Sequence, residues 1–172
     1  MRPIHLLAAV AFWGFAQAAV AAPISIAPVA IDAKLQTTIQ DDLGQREGDY
    51  LVRALTDEVT EALERQGAQV TPDAGVRLEI TLVNAQPNHP TFAQMGRPPF
   101  LDMSSVSIGG AEIRGVLRAQ DGRVLAEFTE ENYDQRLDEF TQASSTWTAA
   151  RRAIQHFARR VAMAYRANVA SS

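Results

Sequence analysis

The chain predicts an α+β fold: a mostly antiparallel sheet of four or five strands with two long amphipathic helices packed on one face. Three observations carry this. Apolar residues recur at helical spacing in two long segments, around 51–63 and 147–165. Residues 76–82 alternate apolar and polar, the period of a half-buried strand. Two further strand-like runs flank Asp121 and Gly122, a pair suited to a hairpin turn.

In chain order, residues 1–21 carry a secretory signal pattern: one early cation, Arg2, an uncharged apolar run from Ile4 to Val20, and small residues Ala19 and Ala21 before a cut. Cleavage is expected after Ala21, because a cut one residue later would set Pro23 directly past the scissile bond. The run also approaches the ~20 residues that span a bilayer, and the cleavage motif weighs against an uncleaved anchor. Residues 22–172 are then expected to form one periplasmic domain. No cysteine occurs anywhere, which excludes disulfides, thiolate catalysis, Cys-based zinc sites and a lipidated cysteine, so the protein is not expected to be a lipoprotein. About 150 residues suffice to bury roughly 70% of the unfolded surface without staples. Removing Arg2 from the 16 cations leaves 15 against 20 acids, a net charge of −5, which argues against general nucleic-acid binding.

The stretch ISIAPVAI at 24–31 alternates with an interruption at Pro28 and predicts an opening strand with a proline-tolerant edge or a kink. The polar connection 32–48 places Leu35, Ile39 and Leu43 four apart, compatible with a short helix, a packed clasp or a plain linker. Asp49 is positioned to cap the first long helix, Leu51, Leu55, Val59, Ala62 and Leu63 form its apolar stripe, and Gly67 stops it. Asp57, Glu58, Glu61 and Glu64 form its solvated face.

The segment 105–134 predicts a hairpin with a two-residue type I′ turn at Asp121 and Gly122. Setting Gln120 opposite Arg123 pairs Leu117 with Ala126, Gly115 with Phe128, Ile113 with Glu130 and Glu112 with Glu131. Phe128 would cover the bare backbone at Gly115, and Arg114 would have to relieve the Glu112/Glu131 repulsion. Apolar parity changes between Val106/Ile108 and Ala111/Ile113, so a bulge is expected at Gly109 and Gly110. The last helix, about 145–168, aligns Trp147, Ala150, Ile154, Phe157, Val161 and Tyr165 on one side. Its arginines fall mostly on the other, solvated or paired with the acidic first helix.

Catalytic chemistry finds little support. Neither His89 nor His156 sits at a metal-ligand spacing, no serine lies in a nucleophile elbow, and no glycine-rich phosphate loop opens a helix. No cofactor, metal or enzymatic activity is expected. The distinctive feature is the long Pro-rich loop 84–105, where four prolines and a glycine preclude a regular helix or central strand. Loops of this length in compact domains are usually functional or disordered. It interleaves Phe92, Met95, Phe100 and Met103 with Asn88, His89 and Arg97, residue types favoured at protein interfaces. The expected function is non-enzymatic binding in the cell envelope, with this loop contacting a protein partner. The competing expectations are that Phe92 and Phe100 fold back to close the sheet, or that a cleft beneath the loop, near His89, serves a small-ligand carrier or hydrolase. Contact of the basic last helix with a membrane surface is a weaker alternative.

The motifs GDYLVRALTDEV, LEITLVNAQPNHPT and SIGGAEIRG, followed by a closing Arg-rich helix after STW, resemble uncharacterised exported proteins of Gram-negative bacteria. The element order is also similar to envelope lipoprotein families of unknown function. The resemblance spans most of 24–168 and implies an exported envelope protein, with no active site to carry over.

Overall fold

The structure, a computed structural model, describes residues 22–98, 100–136 and 143–169. The expected signal segment 1–21 lies outside the described residues. Strands β1 (Ile24–Ile26) and β2 (Ala30–Ile31) precede helix α1 (Ala33–Thr38), which runs into a π-helical turn at Ile39–Leu43. Helix α2 (Gln45–Glu64), β3 (Val76–Gln86), the short α3 (Phe92–Met95), β4 (Gly110–Arg118), β5 (Val124–Tyr133) and α4 (Thr148–Asn168) follow.

The sheet is five-stranded, with β3, β4 and β5 antiparallel in sequence order. Both β1 and β2 pair in parallel with β3, in tandem along one edge, as Ile24↔Val76 and Ile31↔Leu82 show. Pro28 falls between them and has no amide to give a ladder, so the predicted opening strand is two short strands.

Among the described residues, one face of the sheet is buried and the other is open. Leu78, Ile80, Leu82, Ile113 and Leu117 are all removed from solvent, while Arg77, Glu79 and Thr81 face outward. Glu79 meets Arg118 at 3.1 Å on that open face. The two long helices cover the buried face, as predicted. Every residue of both predicted stripes is buried, and together with the sheet they make one core. The register of β3 shifts between Leu82 and Asn84, so Val83 is an extra residue. That bulge carries Ala85 onto the same buried face as Leu82, against the simple period of two.

Several boundaries differ from expectation. Helix α2 starts at Gln45 rather than at Asp49, which lies inside the helix and accepts from Gln45 Nε2 at 3.0 Å. The earlier start follows from the linker being helical: Leu35, Ile39 and Leu43 are all buried, and Gly44, at φ 96°, joins the two helical pieces. The stop at Gly67 is as predicted. Gly67 has φ 81°, its amide donates to Glu64 O at 2.8 Å, and Ala68 N–H donates to Leu63 O at 3.2 Å, the paired bonds of a Schellman motif.

The hairpin pairs as predicted away from its turn, including Gly115↔Phe128 and Glu112↔Glu131, but the turn is not the two-residue type I′. Asp121 is not at positive φ, Gly122 is at 82°, and the Gly122 amide donates to Ala119 O at 2.9 Å. This loop is one residue longer than the expected one, and a register shift next to Arg118↔Val124 absorbs the difference, restoring Leu117↔Ala126. A Cβ on Gly115 would lie 2.7 Å from Phe157 Cζ and 3.3 Å from Phe128 Cδ2, so two aromatic rings, edge to face with centroids 6.2 Å apart, cover that glycine. Arg114 relieves the acidic pair from its own strand, meeting Glu112 at 2.7 Å.

No bulge occurs at Gly109 and Gly110. The strand begins at Gly110, and Val106 and Ile108 lie before it, exposed, so there was no face to restore. Both glycines answer to close packing instead. A Cβ on Gly109 would sit 2.4 Å from the Asn88 side chain, and one on Gly110 2.4 Å from Asn132 O. Helix α4 begins at Thr148, after Trp147, whose indole N–H donates to Glu47 Oε2 at 2.7 Å and ties the start of α4 to the first turn of α2. Its arginines also pair differently. Arg152 meets Asp134 at 3.4 Å and Arg160 meets Glu130 at 3.2 Å, both at the β5 edge rather than on α2, while Arg151 donates to Tyr50 of α2.

Candidate binding surface

Strand β3 runs on through Asn84, Ala85 and Gln86, so the irregular segment begins at Pro87, three residues later than predicted. Its root is a polar knot around Asn88. That side chain is fully buried: Nδ2 donates to Asp134 Oδ2 at 2.6 Å and to Ser107 O at 3.4 Å, and Oδ1 accepts from the Ala149 amide at 2.8 Å. Its backbone N–H donates to Thr146 O at 2.7 Å, and its carbonyl accepts from Ser107 N at 2.9 Å. One residue thus joins both ends of the loop to the end of β5 and the first turn of α4. Asp134, also buried, accepts in addition from Gly109 N at 3.3 Å and Arg152 Nη1 at 3.4 Å, which compensates its charge. Asn88 was expected on the contact surface. It is instead the loop's internal anchor, because a side chain with two donors and an acceptor is what three converging chain segments require.

His89 is half-buried, and both ring nitrogens face backbone carbonyls, Nδ1 with Ser105 O at 3.1 Å and Nε2 with Ala143 O at 2.9 Å. Neither nitrogen faces a carboxylate. Thr91 then opens α3 with a capping box: its hydroxyl accepts from Gln94 N at 3.3 Å, and its amide donates to Gln94 Oε1 at 3.1 Å. Gln94 Nε2 reaches Asp42 Oδ2 at 2.7 Å, and Arg97 donates to the Asp41 carbonyl, fastening the loop to the π-helical turn. Met95 is half-buried and Arg97 exposed. Further on, Asp102 gathers Ser104 Oγ at 2.6 Å and Ser104 N at 2.8 Å. The Ser104 hydroxyl first, and then its amide, hold the Asp102 carboxyl below its ordinary value.

Upon this fastened base the apolar side chains point outward. Phe92 is 79% exposed, Phe100 75%, Met103 59% and Ile108 52%, with Leu101 and Val106 also exposed. Phe92 and Phe100 therefore do not fold back to close the sheet. Phe100 is also the one described non-glycine residue at positive φ, 58°, a conformation that is a true outlier for a bulky side chain. Beneath these groups runs a groove of about 300 Å³ whose walls include Pro87, Pro90, Leu101, Val106 and Ile108, with no titratable group in its lining. Leu101 was not singled out from the sequence, and Val106 and Ile108 were read there only as strand residues of the hairpin segment. Their exposure follows from β4 starting only at Gly110, which the alternation at 106 and 108 disguised.

Among the described residues no cluster of three or more His, Asp or Glu side chains could hold a metal, and no helix is long and apolar enough to cross a membrane.

The chain belongs to DUF3313, a family described as proteins of unknown function, whose profile matches residues 8–161. No curated protein matches it. Among solved structures it is similar to a protein of Xanthomonas campestris assigned to family DUF330, with 17% identity, coverage of 85% of this chain and 84% of the other, and a TM-score of 0.44. It is also similar to a PelC dodecamer from Paraburkholderia phytofirmans, with 8% identity, coverage of 86% and 88%, and a TM-score of 0.45.

Proposed function

We propose that the protein is a non-enzymatic binding protein of the cell envelope, exported to the periplasm, that presents the 92–108 segment to a protein partner. One observation carries this. Of the eight large apolar side chains exposed among the described residues, six lie within 92–108, and only Val124 and Met163 lie elsewhere. Scattered exposed apolar residues are ordinary, whereas a contiguous set is the usual mark of an interaction surface. The loop is also held before contact by the Asn88 knot, the capping box and the two ties to the π-helical turn, so little ordering entropy would be lost on binding. The groove beneath suits a partner's apolar side chain better than a reaction, since its lining supplies no acid or base.

The test is the double substitution Phe92→Ala/Phe100→Ala. Both rings are exposed, so each change should alter stability by no more than about 0.5 kcal/mol and the melting temperature by no more than ~4 °C in total. Retention of partners from envelope extract should fall at least about tenfold, a loss of about 1.4 kcal/mol. Unchanged retention would overturn the proposal.

A further inference from the structure

We propose a second site, independent of the loop: a trough over α4 and the end of α2 that binds an amphiphilic anion, a carboxylate or phosphate head on a hydrocarbon chain. The trough measures about 530 Å³, within the usual range for small-molecule clefts, and Ala62, Ala162 and Met163 contribute its apolar lining. Met163 is 63% exposed, one of the two large apolar side chains left uncovered outside the loop among the described residues.

The charged part of the lining is cationic on an acidic protein. The chain carries a net charge of −4, yet Arg65, Arg159 and Arg160 share this lining with one carboxylate, Glu130. Glu130 is committed, since Arg160 meets it at 3.2 Å and His156 at 3.6 Å. Arg160 also donates to Thr129 O at 2.6 Å. Arg65 is shared between Glu58 at 3.7 Å and Glu61 at 3.5 Å. Arg159 is exposed, and its side chain makes no hydrogen bond or ion pair among the described residues. An unspent guanidinium beside uncovered apolar surface is complementary to one kind of ligand. A small inorganic anion would leave Met163 wet, and a neutral hydrocarbon would leave the Arg159 fork without the oxygens it is shaped to receive.

The experiment is isothermal titration calorimetry of the full chain with dodecanoate and dodecyl phosphate below micelle-forming concentrations. Dodecyltrimethylammonium, acetate and inorganic phosphate serve as comparisons. The two amphiphilic anions should bind at a single site, with Arg159→Glu and Met163→Glu each weakening them at least about tenfold. Phe92→Ala/Phe100→Ala should leave that binding intact, so failure of this site and failure of the loop are told apart. Both trough residues are exposed, and unchanged circular dichroism would show that α4 persists in the variants. Four results would overturn the site: no binding of either amphiphile; equal binding of dodecyltrimethylammonium; inorganic phosphate binding as tightly as dodecyl phosphate; or affinity lost with the loop phenylalanines while Arg159→Glu has no effect.

Discussion

Replacing Asn88 by alanine tests the anchoring of the loop most severely. The substitution removes the 2.6 Å donation to Asp134, the weaker one to Ser107 O at 3.4 Å, and the acceptor 2.8 Å from the Ala149 amide. A hydrogen bond to a charged partner contributes about 1.5–3 kcal/mol and a neutral one about 0.5–1.5. The partners left behind stay buried, so their desolvation is not recovered, and a total loss of about 3 kcal/mol is expected. For a domain of this size that is a fall of roughly 6–12 °C in melting temperature. Urea unfolding of the wild type and Asn88→Ala, with Asn88→Asp as a third variant, measures it. The aspartate should be worse than alanine at neutral pH, because it sets a second carboxylate against Asp134, and should recover on acidification. A loss below about 1 kcal/mol for alanine, or an aspartate that behaves like asparagine, would refute the knot as the loop's anchor.

Gly109→Ala should cost about 1–3 kcal/mol in the same assay, since its Cβ would lie 2.4 Å from the Asn88 side chain, and pairing it with Asn88→Ala should recover part of that cost. Phe100→Gly should leave stability unchanged or raise it by up to about 1 kcal/mol, because glycine accepts the φ of 58° without strain. Burial raises the Tyr165 phenol above its ordinary 10.0, so the stability it contributes is present below that pH and is lost as pH rises further. Tyr165→Phe should therefore flatten the alkaline loss seen in a thermal-melt series, and at neutral pH it should cost about 1 kcal/mol for the lost 2.7 Å bond to Ala22 O.

The fold was legible where one local rule acted alone. Both helix stripes, the alternation at 76–82, the hairpin register beyond its turn and the Gly67 stop follow from periodicity and backbone sterics. The misplacements arose where nonlocal packing decided. Asp49 has the chemistry of a cap, yet burial of Leu35, Ile39 and Leu43 extends helix upstream of it. Gly109 and Gly110 suggested a bulge, whereas the residue pressing on Gly109 is Asn88, distant in sequence. The bulge at Val83 had a sequence signal that the strand reading, ending at Leu82, did not reach: apolar parity passes from Leu78, Ile80 and Leu82 to Val83 and Ala85.

The candidate surface was legible in composition but not in the roles of its residues. Phe92, Phe100 and Met103 are outward, as their interleaving with polar residues suggested, but nothing in a single sequence distinguishes an exposed asparagine from one that knots three segments. His89 likewise read as a ligand, a base or a residue with no role. Only the two carbonyls facing its ring place it within the loop's internal bonding.

Site-specific photo-crosslinking in living cells most directly tests whether the 92–108 segment is a contact surface. A photoreactive residue at Phe92 or Phe100 should give one discrete adduct with a protein, and the same group at Val124, which is exposed on the distant hairpin, should give none. Equal labelling from all three positions, or adducts from Val124 alone, would contradict it.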